Sequence, residues 1–314
     1  MNRGIIAVTG ATGFLGRHLV RTLTDQGWTV RVLVRRPLAS PDGPQPAPQQ
    51  VIGDLADRPA LDALCSGATA VVHVAGLIKA ASRAQFDRTN IEGSRQVALA
   101  AQAAGARMIA VSSLAARQPS LSDYAGSKRG GEEEARSVIG EALSIARPPA
   151  IYGPGDMETL GLFKAAASLP VLPVLDPRAR LALIHVEDAA ARIAGLVSDP
   201  RPGIFALSDL RTDGYSWIEV MQAASMAVGR TPRLLRVPNG LIGTLARVSE
   251  VWSLANGKIS IFTSGKAREM LNLDWSLSHS EILPDTIAMR YGIQSGFVHS
   301  AQWYRANGHL VERV

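Results

Sequence analysis

The sequence predicts an α/β fold: a doubly wound parallel sheet carrying a smaller, mostly C-terminal lobe. Three observations lead there. Short apolar runs alternate with segments whose apolar residues recur at helical spacing, so strands are expected near 4–9, 29–34, 51–53, 70–74, 107–112 and 143–147, with helices between most of them. Runs this short and this apolar suit strands covered on both faces, and intervening helices supply the crossovers that parallel strands need. The 314 residues are 46% hydrophobic, enough to bury one large core and a second, smaller one. Residues 1–150 are the expected sheet domain and 151–314 the lobe, with a segment at about 181–198 returning to the sheet.

The first strand, Ile5-Ile6-Ala7-Val8, runs into Thr9-Gly10-Ala11-Thr12-Gly13-Phe14-Leu15-Gly16, after which Leu15, Leu19 and Leu23 mark a helix that ends at Gly27. Gly10 permits a tight turn, Gly13 lets backbone approach a pyrophosphate, and Gly16 allows close packing of the helix. The free N–H groups and positive dipole end of that helix then face the phosphates. A dinucleotide-binding turn is expected, formed by Gly10, Thr12, Gly13, Phe14, Leu15 and Gly16. The second strand, Trp28–Val34, ends in Arg35 and Arg36, with no acid before Asp42. A guanidinium pairs with a phosphate dianion, whereas an acid would bind a ribose hydroxyl, so NADP is expected over NAD. Pro37, Pro41, Pro44, Pro46 and Pro48 predict a long loop over 36–50.

The fifth strand ends in Val111-Ser112-Ser113-Leu114, and Tyr124-Ala-Gly-Ser-Lys128 opens the next helix. Residues four apart share a helix face, so the Lys128 ammonium is expected beside the Tyr124 phenol. A cation there favours the phenolate and brings the phenol's proton exchange closer to neutrality.

These motifs together, Thr9-Gly10-x-x-Gly13-x-x-Gly16 and Tyr124-x-x-x-Lys128 with a serine upstream, resemble the extended and atypical branches of the short-chain dehydrogenase/reductase superfamily. The resemblance implies a Rossmann fold and an NADP-dependent oxidoreductase in which Ser113, Tyr124 and Lys128 are catalytic. Matching the strand-end motif selects Ser113 over Ser112. Lys128 would also hold the cofactor ribose. Asp54, followed by Leu55, stands where relatives bind the adenine amino group, and Val74-Ala75-Gly76 matches the loop beneath the cofactor. Asn90 corresponds to an asparagine on a helix of related enzymes. The segment Ala146-Arg-Pro-Pro-Ala-Ile-Tyr-Gly-Pro154 carries the nicotinamide expectation to Pro148 and Ile151. Ile184-His185-Val-Glu-Asp188 resembles a strand-to-helix joint, which makes His185 structural. Only ten residues separate Ser113 from Tyr124, shorter than in sugar-nucleotide epimerases, and that weakens an epimerase reading.

Composition narrows the alternatives. No apolar run reaches the length of a membrane-spanning helix, and the chain enters its first strand at once, so neither a span nor a signal peptide is expected. A single cysteine, Cys65, excludes an internal disulfide and suits a reducing cytoplasm. His18, His73, His185, His279, His299 and His309 show no ligand spacing, and no metal is expected. The net charge of +6 is scattered without aromatic interleaving. That argues against nucleic acid and leaves NADP, or anionic lipid at the inner membrane face, as what the basic surface meets. An oligomer is compatible with the sequence.

The lobe is apolar: Val171–Leu175, then Asn239–Gly257 with Leu241, Leu245, Val248, Trp252 and Ala255 on one helical face. Such a face suits the core, a lipophilic pocket wall or a membrane surface. Arg178, Arg180, Arg233 and Arg236 are candidates for gripping a diphosphate. The leading expectation is an NADP-dependent ketone reductase acting on a lipophilic small molecule; the family includes enzymes of hydroxysteroids and of 3-oxo sphingolipids such as 3-oxo-ceramide. A sugar-nucleotide epimerase or reductase and a non-catalytic NADP-binding accessory protein, like the atypical subunit of respiratory complex I, are the alternatives. The intact Ser113/Tyr124/Lys128 set argues against the last.

Overall fold

The computed structural model describes residues 3–38, 46–209, 211–238, 240, 244, 263–284 and 287–311. Its strands are β1 (Ile5–Thr9), β2 (Thr29–Val34), β3 (Gln49–Ile52), β4 (Ala68–His73), β5 (Arg107–Val111), β6 (Ser144–Arg147), β7 (Ala150–Tyr152), β8 (Val171–Val174), β9 (Leu183–His185), β10 (Gly203–Ala206) and β11 (Arg233–Arg236). Its helices are α1 (Phe14–Asp25), α2 (Arg58–Cys65), α3 (Arg83–Phe86), α4 (Gly93–Ala103), α5 (Asp123–Ile139), α6 (Leu160–Ser168), α7 (Val186–Ser198), α8 (Trp217–Ala227), α9 (Ser264–Leu271) and α10 (Ile293–Ala306). None of them is long and apolar enough to cross a membrane.

Seven strands form one sheet in the order β10-β6-β5-β4-β1-β2-β3, every pair parallel. The chain winds outward from β1 in one direction, then restarts at β4 in the other, so β1 and β4 flank the switch point where ligands of doubly wound sheets bind. Two details differ from expectation. The proline-rich loop is shorter than 36–50, because Gln49 and Gln50 already pair with Arg31 and Val32. A seventh strand, β10, joins β6 through the register Gly203↔Ser144 to Ala206↔Arg147.

The chain divides into two compact units, Met1–Pro148 with Ala190–Ala206, and Pro149–Ala189 with Leu207–Val314. The return to the first unit therefore lies at 190–206 rather than about 181–198. Residues Leu183–His185 pair with β7 instead, and β10 lies beyond α7. In the first unit Ala7, Leu61, Leu64, Val71, Val97 and Met108 make the core, all almost wholly inaccessible to solvent. The second unit is built on aromatic packing: Tyr152, Phe163, Phe297 and Tyr304 meet with ring centroids 4.9–5.2 Å apart. The Asn239–Gly257 helix expected from sequence, Trp252 included, lies almost entirely outside the described residues.

Candidate active site

The glycine turn has the geometry its spacing predicts. Gly10 adopts φ +73°, and a Cβ there would lie 2.6 Å from the Ala75 backbone nitrogen. Side chains are therefore excluded twice, by backbone conformation and by the loop that follows β4. Gly16 comes even closer to the chain, but its neighbour is the Gly10 carbonyl of the turn rather than the sheet. Gly13 is the N-cap of α1, and no side chain caps the helix or places an acid in its first turn. A Cβ at Gly13 would approach only the Gly10 oxygen, at 3.3 Å. Thr12 and Gly13 are exposed, Phe14 is partly buried against His18, and Leu15 is buried.

A buried hydrogen-bonded chain ties this turn to the helix that carries Tyr124. Thr9 Oγ1 lies 2.8 Å from His73 Nδ1 and accepts from the Ala75 N–H at 3.3 Å. On its other side His73 Nε2 lies 3.2 Å from Ser94 Oγ, which donates to the Asn90 carbonyl at 2.7 Å. Ser94 has spent its only hydrogen, so His73 must donate from Nε2 and accept at Nδ1 from Thr9. Burial, with Lys128 adding to it, pushes the imidazole down to about 3 and keeps it neutral. The Asn90 side chain continues the chain. It accepts from Leu77 N at 2.7 Å and donates to Leu77 O at 3.0 Å and to Ser127 Oγ at 2.9 Å. Ser127 in turn donates to the Tyr124 carbonyl at 2.8 Å. Asn90 sits in a π-helical turn, Asp87–Glu92, the kind of helix irregularity often found at functional sites. Val74, Ala75 and Gly76 are thus held from β1 on one side and, through Leu77, from Asn90 on the other.

Ser122 caps α5 by accepting from Ala125 N at 3.0 Å, which starts the helix just before Tyr124. Tyr124 is half-buried, its ring 6.2 Å from Phe86. Lys128, one turn on, donates from Nζ to the Val111 carbonyl at 2.8 Å, next to Ser112 and Ser113. That bond ties the Lys128 ammonium to the end of β5. Desolvation pushes Lys128 down to about 8, with the Glu132 carboxylate opposing the shift. Glu132 itself is buried and receives Arg147 Nε at 2.8 Å and Nη2 at 2.5 Å, a two-point bridge that fastens α5 to β6. Sequence reasoning missed both partners, although Arg147 stands inside the quoted Arg-Pro-Pro motif. It also missed Gly131, where a Cβ would come within 2.3 Å of the Asn90 carbonyl, so α5 and the π-turn cross at backbone contact.

Ser113 caps a short 3₁₀ turn, Leu114–Arg117, its Oγ accepting from Ala115 N at 3.2 Å. The oxygen is engaged while the hydroxyl hydrogen remains available to donate. Ser112 Oγ is buried and has no hydrogen-bond partner. The Pro148 carbonyl accepts from Leu114 N at 2.8 Å, so it braces the Ser113 strand end. Asp54 is exposed and accepts from Ala56 N at 2.8 Å, while Leu55 packs on the first core. Arg35 and Arg36 are exposed just beyond β2 and pair with no acid among the described residues.

In the second unit, Ile151 lies on β7, paired with Ile184. His185 is fully buried, stacked on Tyr291 at 3.8 Å and edge-on to Tyr152. Asp188 accepts from the Arg290 and Tyr291 N–H groups at 3.1 Å each. Both residues therefore hold the fold of this unit. Asp176 draws in Arg178 at 2.7 Å and Arg236 at 3.6 Å, and Arg180 donates to the Pro177 and Ala179 carbonyls.

A family model described as the NAD dependent epimerase/dehydratase family matches residues 6–205, nearly the whole of the first unit. The chain belongs to that family. It is 51% identical over 312 residues to the ceramide reductase of Caulobacter vibrioides, covering 99% of this chain and 98% of that protein. It is 28% identical over 252 residues to the mitochondrial NADH dehydrogenase [ubiquinone] 1 alpha subcomplex subunit 9 of Arabidopsis thaliana, covering 75% of this chain and 61% of that one. Among solved structures, UDP-N-acetylglucosamine 4-epimerase from Bacillus cereus superimposes with a TM-score of 0.68 at 18% identity, covering 99% of this chain and 98% of that one. That likeness concerns the fold. The protein is an NAD(P)-dependent oxidoreductase with a Rossmann sheet. A nicotinamide dinucleotide fits its glycine turn, where α1 offers uncapped N–H groups and no side chain fills the space beyond Gly13.

Proposed function

We propose that this chain is an NADPH-dependent ketoreductase acting on a lipophilic 3-oxo compound of the ceramide type. The observation that carries the substrate class is the full-length likeness to a ceramide reductase, at 51% identity with almost no unmatched residues in either chain. For the chemistry, support comes from the corner where Ser113, Tyr124 and Lys128 gather at the end of β5 and the start of α5.

The turn Gly10–Gly16 would hold the cofactor pyrophosphate, and Asp54 with Leu55 the adenine end. Val74–Gly76 and Pro148 would hold the remainder. When bound, the nicotinamide ring supplies the hydride. Tyr124 donates its phenolic proton to the ketone oxygen, and Ser113 donates a hydrogen bond to the same oxygen and orients it. The Lys128 ammonium stabilises the phenolate left behind and holds the ribose hydroxyls with its remaining N–H bonds. Arg35 and Arg36, exposed and paired with no acid among the described residues, would take a 2′-phosphate.

Of the four arginines available for a sugar-nucleotide diphosphate, Arg178, Arg180 and Arg236 are already engaged within the unit. That weighs against the epimerase alternative. An accessory role would make no use of an ammonium held against the end of β5.

Turnover of NADPH and NADH against 3-oxo substrates of increasing chain length, beside nucleotide sugars, tests the reading. Each buried methylene is worth about 0.8 kcal/mol, so kcat/KM should climb about fourfold per carbon until the site is full. A flat series accompanied by turnover of a nucleotide sugar would transfer the assignment to the sugar enzymes.

A further inference from the structure

The short sheet of the second unit has two unlike faces. Along β8 exposure alternates: Leu172 and Val174 point into the core, Val171 and Pro173 outward. β11 lies parallel to it with Val171 beside Arg233 and Pro173 beside Leu235, so Arg233 and Leu235 share the outward face. Val171 is 39% exposed, Leu235 61% and the adjoining Leu169 44%, an apolar surface left to solvent. Beside it opens a groove of about 540 Å³ lined by Leu169, Pro170, Val171, Arg230, Thr231 and Arg233. Neither arginine side chain meets an acid among the described residues, and no acid lines the groove.

We propose that this face docks on an anionic membrane surface, with Arg230 and Arg233 on lipid phosphates and Leu169, Val171 and Leu235 at the acyl boundary. Unpaired cations bordering exposed aliphatic residues complement a surface that is negative outside and apolar beneath. A second copy is a poorer occupant, because a two-fold contact sets Arg230 and Arg233 against the same arginines with no acid between them. The use of such docking rests on the lipophilic-substrate reading, since it brings the enzyme to where that substrate dissolves; the binding itself does not.

The test is cosedimentation of the full chain with vesicles of phosphatidylglycerol and phosphatidylcholine, and with phosphatidylcholine alone, at low and raised salt. Binding should require the anionic lipid and weaken with salt. Each arginine near such a surface contributes about fivefold, so the double variant Arg230→Ala, Arg233→Ala should bind about 25-fold more weakly. Leu235→Ser, on the outward side, should also weaken binding while its circular-dichroism melting curve matches the wild type. Turnover of a short, water-soluble ketone should be unchanged in both. Absence of wild-type binding, or equal binding by the variants, would overturn the proposal. So would a light-scattering dimer that the double variant makes monomeric, or capture by immobilised polyaspartate without capture by vesicles. Arginine-dependent vesicle binding by a chain that reduces no ketone would leave the surface standing and remove the reductase reading.

Discussion

Two regions of the first unit treat positive charge in opposite ways. At the start of α5 the Lys128 ammonium is half-buried, bonded to the Val111 carbonyl and pushed down to about 8. At the end of β2, Arg35 and Arg36 stand in solvent with no acid partner among the described residues. A charge held by a hydrogen bond to the backbone has its position fixed before any ligand arrives, which suits a group acting on reacting atoms. An exposed arginine contributes only when a phosphate reaches it. Changes in the first region should therefore strike turnover, and changes in the second the choice of cofactor.

The largest expected effect belongs to the first region. Tyr124→Phe removes one hydroxyl, and kcat should fall by about 10²–10⁴ while the cofactor dissociation constant stays near the wild-type value. Lys128→Ala should lose turnover and also weaken cofactor binding, because it carries both duties. Calorimetric titration beside steady-state kinetics separates the two variants, and a Tyr124→Phe enzyme within about threefold of wild type would break the comparison.

Next in size is the other region. Arg35→Asp should reduce the preference for NADPH over NADH by about 10- to 100-fold, the worth of a charge-assisted phosphate contact, with little change in kcat. Equal wild-type affinities for the two cofactors would dissolve the role given to Arg35 and Arg36.

The pH profile sharpens the contrast further. Lys128 keeps its proton below about 8 and loses it above. The kcat/KM of the free enzyme should therefore fall on the alkaline side with a midpoint near that value. An arginine contact with a phosphate has no such limb, so the NADPH preference should hold across the same range.

A separate effect, apart from turnover and cofactor choice, is on stability. His73 is held down to about 3 in the fold against an ordinary value of 6.5. Between those values the unfolded chain binds a proton that the folded one refuses, so the His73 contribution is complete above 6.5 and is lost as pH falls towards 3. Urea unfolding of His73→Gln should give a flatter stability curve over that window than the wild type, from a lower starting point. Nitrogen-15 shifts of the wild-type imidazole should report the proton on Nε2.

What could be read from the sequence was whatever local spacing encodes. Gly10 is tied to a backbone turn, and Tyr124 with Lys128 to one helix face, by a few intervening residues. The strands of the large sheet were legible for the same reason, since each is a short apolar run beside its own helix. Partners chosen across the fold were not legible. Glu132 finds Arg147, His73 finds Ser94, and Lys128 finds Val111 only once α4, α5 and the strands have packed. The spacing of Lys128 gave its face without its destination. The seventh strand, Gly203–Ala206, is four residues of ordinary composition, recognisable only through its pairing with β6. In the second unit, the tyrosines and phenylalanines of the aromatic core come from segments as distant as Tyr152 and Tyr304, with no motif joining them.

The central claim, reduction of a lipophilic ketone, is tested most directly by isotope transfer. The wild type is supplied with NADPH deuterated at one face of nicotinamide C4 and with a long-chain 3-oxo amide, and the product is analysed by mass spectrometry. The account predicts a 3-hydroxy product carrying one deuterium on the carbinol carbon from one labelled face and none from the other. Unchanged ketone with both labels, from a protein that binds NADPH, would contradict it.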